Sequence, residues 1–546
     1  MTKSRTEPGA SKSSQIGIGG QGRRQRLVAW LDSLAGWRRR ALLMLLGLLA
    51  MLTMPPLHLW PLLFIALPGL VLLIDRTGGV KGAFWTGWWF GLGHFIPGFY
   101  WIANSMMTDP LRFGWMIPFA VGGLAAFMAV YIGLAAALAR LLRTPGPARI
   151  LALGGAWIIG EWLRSWVLSG FPWNLLGYSW AFSDPMMQIV AWTGTWGLSL
   201  ISVIGCGLPA LLLRWAPNAE DAPPLAGKAG WSAIAGLVAL ALVWSVGAVR
   251  LSGAADGFVP GVTLRLVQPS IPPNMKNDVD LRAENLNKLL RLTAESPGYD
   301  RVTHVIWPES AVPYLVERNA ELRQALAGVV PPQGLLITGA VRGAPDTGGL
   351  EQIWNSALAI DGNAAIVAKF DKFHLVPYGE YVPRRDLFPF IAKITPGSMD
   401  FTAGPGPRTL HLPGLPPVGP LICYELIFPG EVADRSDHPQ WLLSLTNDAW
   451  FGRSTGPYQH FASARFRAVE EGVPMVRAAN AGISGVIDAY GRVHARLELD
   501  AIGVIDHGLP SATPVPTLFA RVGNWMLLVL LAICGVLTAF TRRLLA

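Results

Sequence analysis

Apolar runs of near bilayer-spanning length bracket one polar segment of about 270 residues, 251–520. This pattern constrains the chain more than any other feature. A span needs about 20 mostly apolar residues. Such runs lie at roughly 39–56, 57–75, 81–103, 114–142, 148–168, 186–214, 230–250 and 522–541. Only 14% of the 546 residues are charged, against about 25% in soluble globular chains. The expectation is a polytopic α-helical membrane domain of about eight spans carrying one extramembrane domain. Only Pro55-Pro56 separates the first two runs, so one broken element is the alternative there.

The net charge is +9, but its basic residues cluster beside apolar runs, as in Arg38-Arg39-Arg40 and Arg542-Arg543. That placement sets topology and attracts anionic membrane lipids, and no nucleic-acid partner is expected. Every second loop is basic, carrying Arg76 and Lys81, then Arg140, Arg143 and Arg149, then Arg214 and Lys228. The loops between them hold Arg112 alone. Basic loops stay inside. This gives a basic cytoplasmic tail over 1–40, a membrane domain over 41–250, an external domain over 251–520 and a last helix over 521–546. Within the spans, Glu161 and Arg164 stand three apart on one helical face and are expected to pair; shaping a lipid headgroup site is the alternative. Phe171-Pro172-Trp173-Asn174 is expected to face the external domain.

From about residue 261 the pattern changes to short β-rich runs between Pro/Gly turns: 262–267, 302–307, 335–338, 356–360, 365–370, 418–423 and 441–445. Helical stretches are predicted over 280–295, 317–328 and 457–472. Strands mixed with helices over this length predict one layered α/β domain.

Three short motifs follow apolar strands. Cys423 is the only cysteine of the external segment, and Cys206 and Cys534 fall in apolar runs. A thiol with an ordinary pKa of about 8.5 is mostly un-ionised at neutral pH and needs a base to attack. Glu309, in Trp307-Pro308-Glu309-Ser310, supplies a carboxylate, and Lys372, in Asp371-Lys372-Phe373-His374, supplies a cation. Phe428-Pro429-Gly430-Glu431 is expected to start a helix after the cysteine. Each motif has a plainer reading: a buried structural thiol, a surface carboxylate, a solvated Asp371–Lys372 pair. A Cys423–His374 dyad is a further alternative. The three together, each at the end of an apolar run, favour a nucleophile, a base and a cation.

Trp307-Pro308-Glu309, the stretch from Lys372 through Pro377-Tyr378-Gly379-Glu380-Tyr381, Ile422-Cys423-Tyr424-Glu425 and Asn447-Asp448-Ala449-Trp450 resemble the motifs of the nitrilase superfamily. With the multi-span region before them and the single apolar helix after, the chain past residue 40 resembles the membrane-bound apolipoprotein N-acyltransferases. The resemblance implies an αββα nitrilase-like sandwich in the periplasm, on the bacterial inner membrane. It implies transfer of an acyl chain from a phospholipid donor to the N-terminal amine of diacylglyceryl apolipoproteins. In that scheme Cys423 is the nucleophile, Glu309 the general base and acid, and Lys372 the oxyanion cation. Glu380 tunes Lys372 and Glu309, while Tyr424 and Glu425 flank the thiol, the Tyr424 N–H serving as an oxyanion donor. No metal or organic cofactor is implied. A tethered amidase and a transporter with a regulatory domain are the competing readings; Leu387-Phe388-Pro389-Phe390-Ile391, expected as a lipid-touching lid, speaks against the amidase.

Overall fold

A computed structural model describes residues 26–27, 29–144, 146–213, 225–345, 351–387, 393–395 and 399–545. Each apolar run contains a helix: Gly36–Met51, Leu63–Asp75, Val80–Phe99, Leu124–Leu141, Gly146–Leu163, Val190–Gly207, Leu225–Ser252 and Met526–Leu545. Among the described residues, four stretches are long and apolar enough to cross a membrane: Pro110–Leu141, Val190–Leu212, Trp231–Ser252 and Leu518–Arg543. The chain is a membrane protein. The first two runs form separate, antiparallel helices, since Arg39 near the start of one donates to the Leu73 carbonyl near the end of the other at 2.7 Å. Glycines let the helices approach closely, as membrane packing favours. A Cβ on Gly93 would lie 2.1 Å from the Met44 oxygen.

Arg164 and Glu161 are both buried, 3.9 Å apart, but each has closer partners. Arg164 donates to the carbonyls of Trp173 (2.8 Å) and Asn174 (3.0 Å), and Glu161 accepts from the Leu176 N–H at 2.8 Å. The pair therefore anchors the loop after its own helix, as well as neutralising itself.

The polar segment folds into two stacked sheets. The first has strand order β11-β1-β2-β3-β4-β5, with β1 at Phe258–Gln268, β2 at His304–Ile306, β3 at Leu335–Pro345, β4 at Glu351–Asp361, β5 at Ile366–Asp371 and β11 at Gly503–Pro510. The second has the order β10-β9-β8-β7-β6, with β6 at Val418–Ile422, β7 at Trp441–Thr446, β8 at Met475–Ala479, β9 at Ser484–Ile487 and β10 at Val493–Leu497. In each sheet three adjacent strands are parallel, β1–β2–β3 and β6–β7–β8. Leu264, Leu266 and Ile337 from one sheet meet Ile422, Leu443 and Val476 from the other in a shared core. Alternate residues on the first sheet's outer face, Val305, Trp307 and Leu336, pack on Leu286, Leu289, Leu322 and Leu326 of helices Arg282–Glu295 and Ala320–Ala327. Alternation of buried side chains to both faces is what strands covered on both sides require.

Helix Gly456–Glu471 covers the second sheet and is itself covered by the membrane region, so nearly all its residues are buried. Trp173 donates to Gln459 at 2.6 Å, and the Thr195 N–H to Glu470 at 2.7 Å. Phe171-Pro172-Trp173-Asn174 thus faces the polar domain, as expected.

One expectation is corrected, and four strands were not foreseen. Strands β8 to β11 were not legible as apolar runs. No helix follows Phe428-Pro429-Gly430-Glu431; the turn is a short 3-10 helix, Cys423–Ile427, and the chain is then irregular up to β7.

Candidate active site

Strand ends set out the three motif residues. Glu309 lies three residues past β2, Lys372 immediately follows β5, and Cys423 immediately follows β6. The ends of strands in α/β sheets leave main-chain groups free and side chains aimed outward, which is where sites form. All three line one cavity of about 850 Å³, with Lys276, Asn355, Glu380 and Tyr424.

Lys372 is 1% exposed and stands between two carboxylates, 2.9 Å from Glu380 and 3.6 Å from Glu309. Burial alone would favour the neutral amine, yet Glu380 and Glu309 outweigh it and hold the ammonium above its ordinary range. Asn355 on β4 donates to Glu309 at 2.8 Å and to Glu380 at 2.9 Å, fixing the two acids relative to each other. Glu380 is fixed in turn by the Val376 N–H at 2.8 Å. Asp371 does not pair with its neighbour: Arg342 holds it at 2.6 Å and Ser356 at 2.6 Å.

The thiol environment is unfavourable to charge. Burial, then Glu309, push Cys423 up to about 12, against the opposing Lys372. The residue takes a left-handed φ of 52°, sparsely populated for a residue with a side chain, and such strain gathers at functional turns. The His460 ring lies 3.1 Å from the Cys423 carbonyl oxygen. Glu425 is absent from the cavity wall and braces the turn instead. Its carboxyl accepts the N–H groups of Ile422 (2.6 Å), Phe373 (2.6 Å) and His374 (3.2 Å), tying the Cys and Lys motifs together. Burial nonetheless raises it to about 8. Tyr424 lines the cavity and donates its hydroxyl to the Gly170 carbonyl at 2.5 Å, linking the turn to the membrane region.

His374 does not form a dyad with the thiol. Its ring packs on Phe428, centroids 4.0 Å apart, and faces Glu431 at 3.6 Å. Burial and Lys372 lower it to about 4. Of the expected lid, Leu387 is 58% exposed, while Phe388, Pro389, Phe390 and Ile391 lie outside the described residues. Three residues of the site escaped the sequence reading. Asn355 had a signal, a polar side chain within an apolar strand. Lys276, which donates to the Glu309 carbonyl at 2.8 Å, and His460 had none, because long-range pairing alone gives them their place.

The far wall of the cavity belongs to the membrane region. Ile102, Met106, Phe119, Leu124, Phe127 and Met128 line it. Asn104 donates to the Phe451 carbonyl at 2.6 Å and Ser105 to that of Trp450 at 3.1 Å, so this wall is tied to the loop after β7. The arrangement presents a thiol, a carboxylate and a cation at one end of an apolar chamber.

Residues 46–208 match the model of the apolipoprotein N-acyltransferase N-terminal domain, and residues 263–514 that of carbon-nitrogen hydrolases. An apolipoprotein N-acyltransferase of Rhodopseudomonas palustris is 40% identical over 95% of this chain and 97% of its own. One of Bradyrhizobium diazoefficiens is 42% identical over 93% of this chain and 96% of its own. Among solved structures, an amidase of the nitrilase superfamily from Nesterenkonia aligns with 47% of this chain and 94% of its own, at 18% identity and a TM-score of 0.33. By its identity to these relatives along almost its full length, the chain belongs to the apolipoprotein N-acyltransferases, enzymes that carry a nitrilase-superfamily domain on a helical membrane region.

Proposed function

We propose that Cys423 takes an acyl chain from a membrane phospholipid as a thioester and passes it to the N-terminal amine of a diacylglyceryl-cysteine apolipoprotein. The single observation that carries this reading is the shared cavity. Cys423, Glu309 and Lys372 open into a space whose other wall is Phe119, Leu124, Phe127 and Met128 of an apolar helix. An acyl chain gains about 25 cal/mol for each Å² it removes from water there, whereas a small polar amide gains nothing from such a wall.

In this scheme Glu309 takes the proton from the Cys423 thiol as sulfur attacks the ester carbonyl. The thiol is too weakly acidic to ionise unaided, so the transfer and the attack are coupled. Lys372 and the Tyr424 N–H face the oxyanion of the tetrahedral intermediate. Its collapse breaks the ester C–O bond, and Glu309 returns the proton to the departing glycerol oxygen. The apolipoprotein amine then attacks the thioester and gives a proton to Glu309. The thiolate leaves and recovers that proton, and the enzyme is restored. Glu380 and Asn355 hold Lys372 and Glu309 in place throughout.

The membrane arrangement proposed with this chemistry has eight spans over 41–250 and 521–546, a cytoplasmic tail over 1–40, and a periplasmic catalytic domain over 251–520. Loop contacts support it. Loops read as cytoplasmic meet one another: Arg76 pairs with Asp32 at 2.7 Å, Arg149 pairs with Asp75, and Arg140 donates to the Thr77 carbonyl at 3.1 Å. Loops read as external meet the catalytic domain through Asn104, Gly170 and Trp173. Both substrates are lipid-anchored, so confinement to one leaflet brings them to the cavity mouth.

The test is the purified protein in phospholipid vesicles with a diacylglyceryl-cysteine peptide. The peptide should gain one acyl mass on its amine. Hydrolysis of small amides without that gain would favour the tethered amidase.

A further inference from the structure

We propose that His460 is a positioning residue that aims the main-chain N–H of Tyr424 at the oxyanion; this rests on reading Cys423 as the nucleophile. His460 sits on helix Gly456–Glu471, fully buried, with Nε2 at 3.1 Å from the main-chain oxygen of Cys423. A carbonyl oxygen only accepts, so the bonding hydrogen is on Nε2 in either charge state of the ring. The other nitrogen, Nδ1, lies 2.8 Å from Asp448 and 2.9 Å from Arg477. Arg477 reaches the second Asp448 oxygen at 2.6 Å, and all three side chains have no exposure. The rings of Trp173 and Phe451 pack around the imidazole at 5.5 and 5.7 Å. The ring is held at both nitrogens and cannot swing away.

Peptide geometry carries the consequence. The Cys423 carbonyl and the Tyr424 N–H belong to one planar trans peptide and point in opposite directions. Fixing the oxygen on His460 therefore fixes the direction of the N–H. Tyr424 is the second residue of the 3-10 turn Cys423–Ile427, where an N–H has no acceptor within the helix. The left-handed φ of 52° at Cys423 gives that peptide a reason to relax by rotation. The imidazole bond opposes the rotation. Asp448 and Arg477 act one step further out, by holding the ring.

Two substitutions separate this role from simple packing. His460→Gln places an amide N–H near the Nε2 position, within reach of the Cys423 oxygen. His460→Asn places one near Nδ1, keeping the Asp448 bond but falling short of that oxygen. The full-length protein in phospholipid vesicles is followed by single-turnover acylation, thermal midpoint and half-saturating phospholipid concentration. His460→Gln should acylate within about tenfold of wild type. His460→Asn should be about a hundredfold slower at saturation, as for a lost oxyanion donor, with half-saturation and melting unchanged. Wild-type rates in His460→Asn, or equal losses in both variants, would overturn the proposal. Should the Asn variant fail to fold, a hundredfold loss in folded His460→Gln overturns it alone. Absence of any acyl-enzyme in the wild type would strike the nucleophile reading instead.

Discussion

The ammonium of Lys372 lies 2.9 Å from Glu380 and, more loosely, 3.6 Å from Glu309. Glu380 fixes the cation's position, and Glu309 stays near enough to feel its charge. Lys372→Met keeps the length of the side chain and removes the charge. Losing one oxyanion stabiliser costs roughly 2.7–4 kcal/mol. Acyl transfer should fall by about a hundred- to a thousandfold while the protein still inserts and folds. Near-normal turnover would reduce Lys372 to a structural ion-pair partner.

Lys276 should give the site an alkaline limit. Burial lowers its ammonium to about 8, against the pull of Glu309 and Cys423. As pH rises through that value, the positive charge beside Glu309 and Cys423 is lost. Acylation measured across pH should therefore decline above about pH 8. Lys276→Arg, with a guanidinium that stays charged, should hold the rate to a pH at least about one unit higher. An unchanged decline in Lys276→Arg would assign the limit to another group.

Glu425 ties pH to stability. Its carboxyl titrates near 8 when folded, against an ordinary 4.5, mainly through burial. Between these values the folded protein holds more protons than the unfolded chain, so stability falls as pH rises through that window. The thermal midpoint of detergent-solubilised protein should drop between about pH 5 and 8. In Glu425→Gln the midpoint should start lower, because the amide has one accepting oxygen and cannot hold both the Ile422 N–H and the Phe373 and His374 N–H groups, and should depend less on pH. An equally steep drop in Glu425→Gln would place its origin elsewhere.

Much of this was legible in the sequence, for physical reasons. Helices of the membrane region must be apolar along their length, so their positions were plain, and so were strands β1 to β7, whose cores are Val-, Ile- and Leu-rich. Strand β8 was hidden because a buried charge interrupts it, β9 because it is only four residues long, and β10 and β11 because Arg496 and Asp506, at exposed positions, break their apolar pattern. Arg477 on β8 is fully buried but bonded to Asp448, and Asp506 on β11 pairs with the buried Arg265 of β1 at 2.6 Å. Such pairs are invisible until segments 29 and 241 residues apart meet. Gly430, at φ 73°, sits in the segment misread as the start of a helix. Glu309, Lys372 and Cys423 were readable because each follows its apolar strand closely. Asn355 stood out only as a polar residue in an apolar strand, and His460 acts through a partner 37 residues away, so no local pattern marks its role.

The apolar chamber should select for chain length. A Cβ added to Gly123, which lines the cavity, meets no atom within 4 Å. Gly123→Phe should therefore enter the chamber without disturbing its helix. Transfer from long-chain phospholipid should drop by tenfold or more, while turnover of a short-chain soluble ester should change little. Equal losses on both substrates would mean that the acyl chain lies elsewhere.

In the thioester scheme proposed above, Cys423 carries the acyl group between two substrates that need never be bound together. Protein incubated with phospholipid alone should gain one fatty-acyl mass, on the peptide containing Cys423 and released by neutral hydroxylamine. Cys206→Ala and Cys534→Ala should keep that adduct, and Cys423→Ala should lose both adduct and transfer. Full transfer activity in Cys423→Ala, or an acyl mass on any other residue, would rule out Cys423 as the acyl carrier.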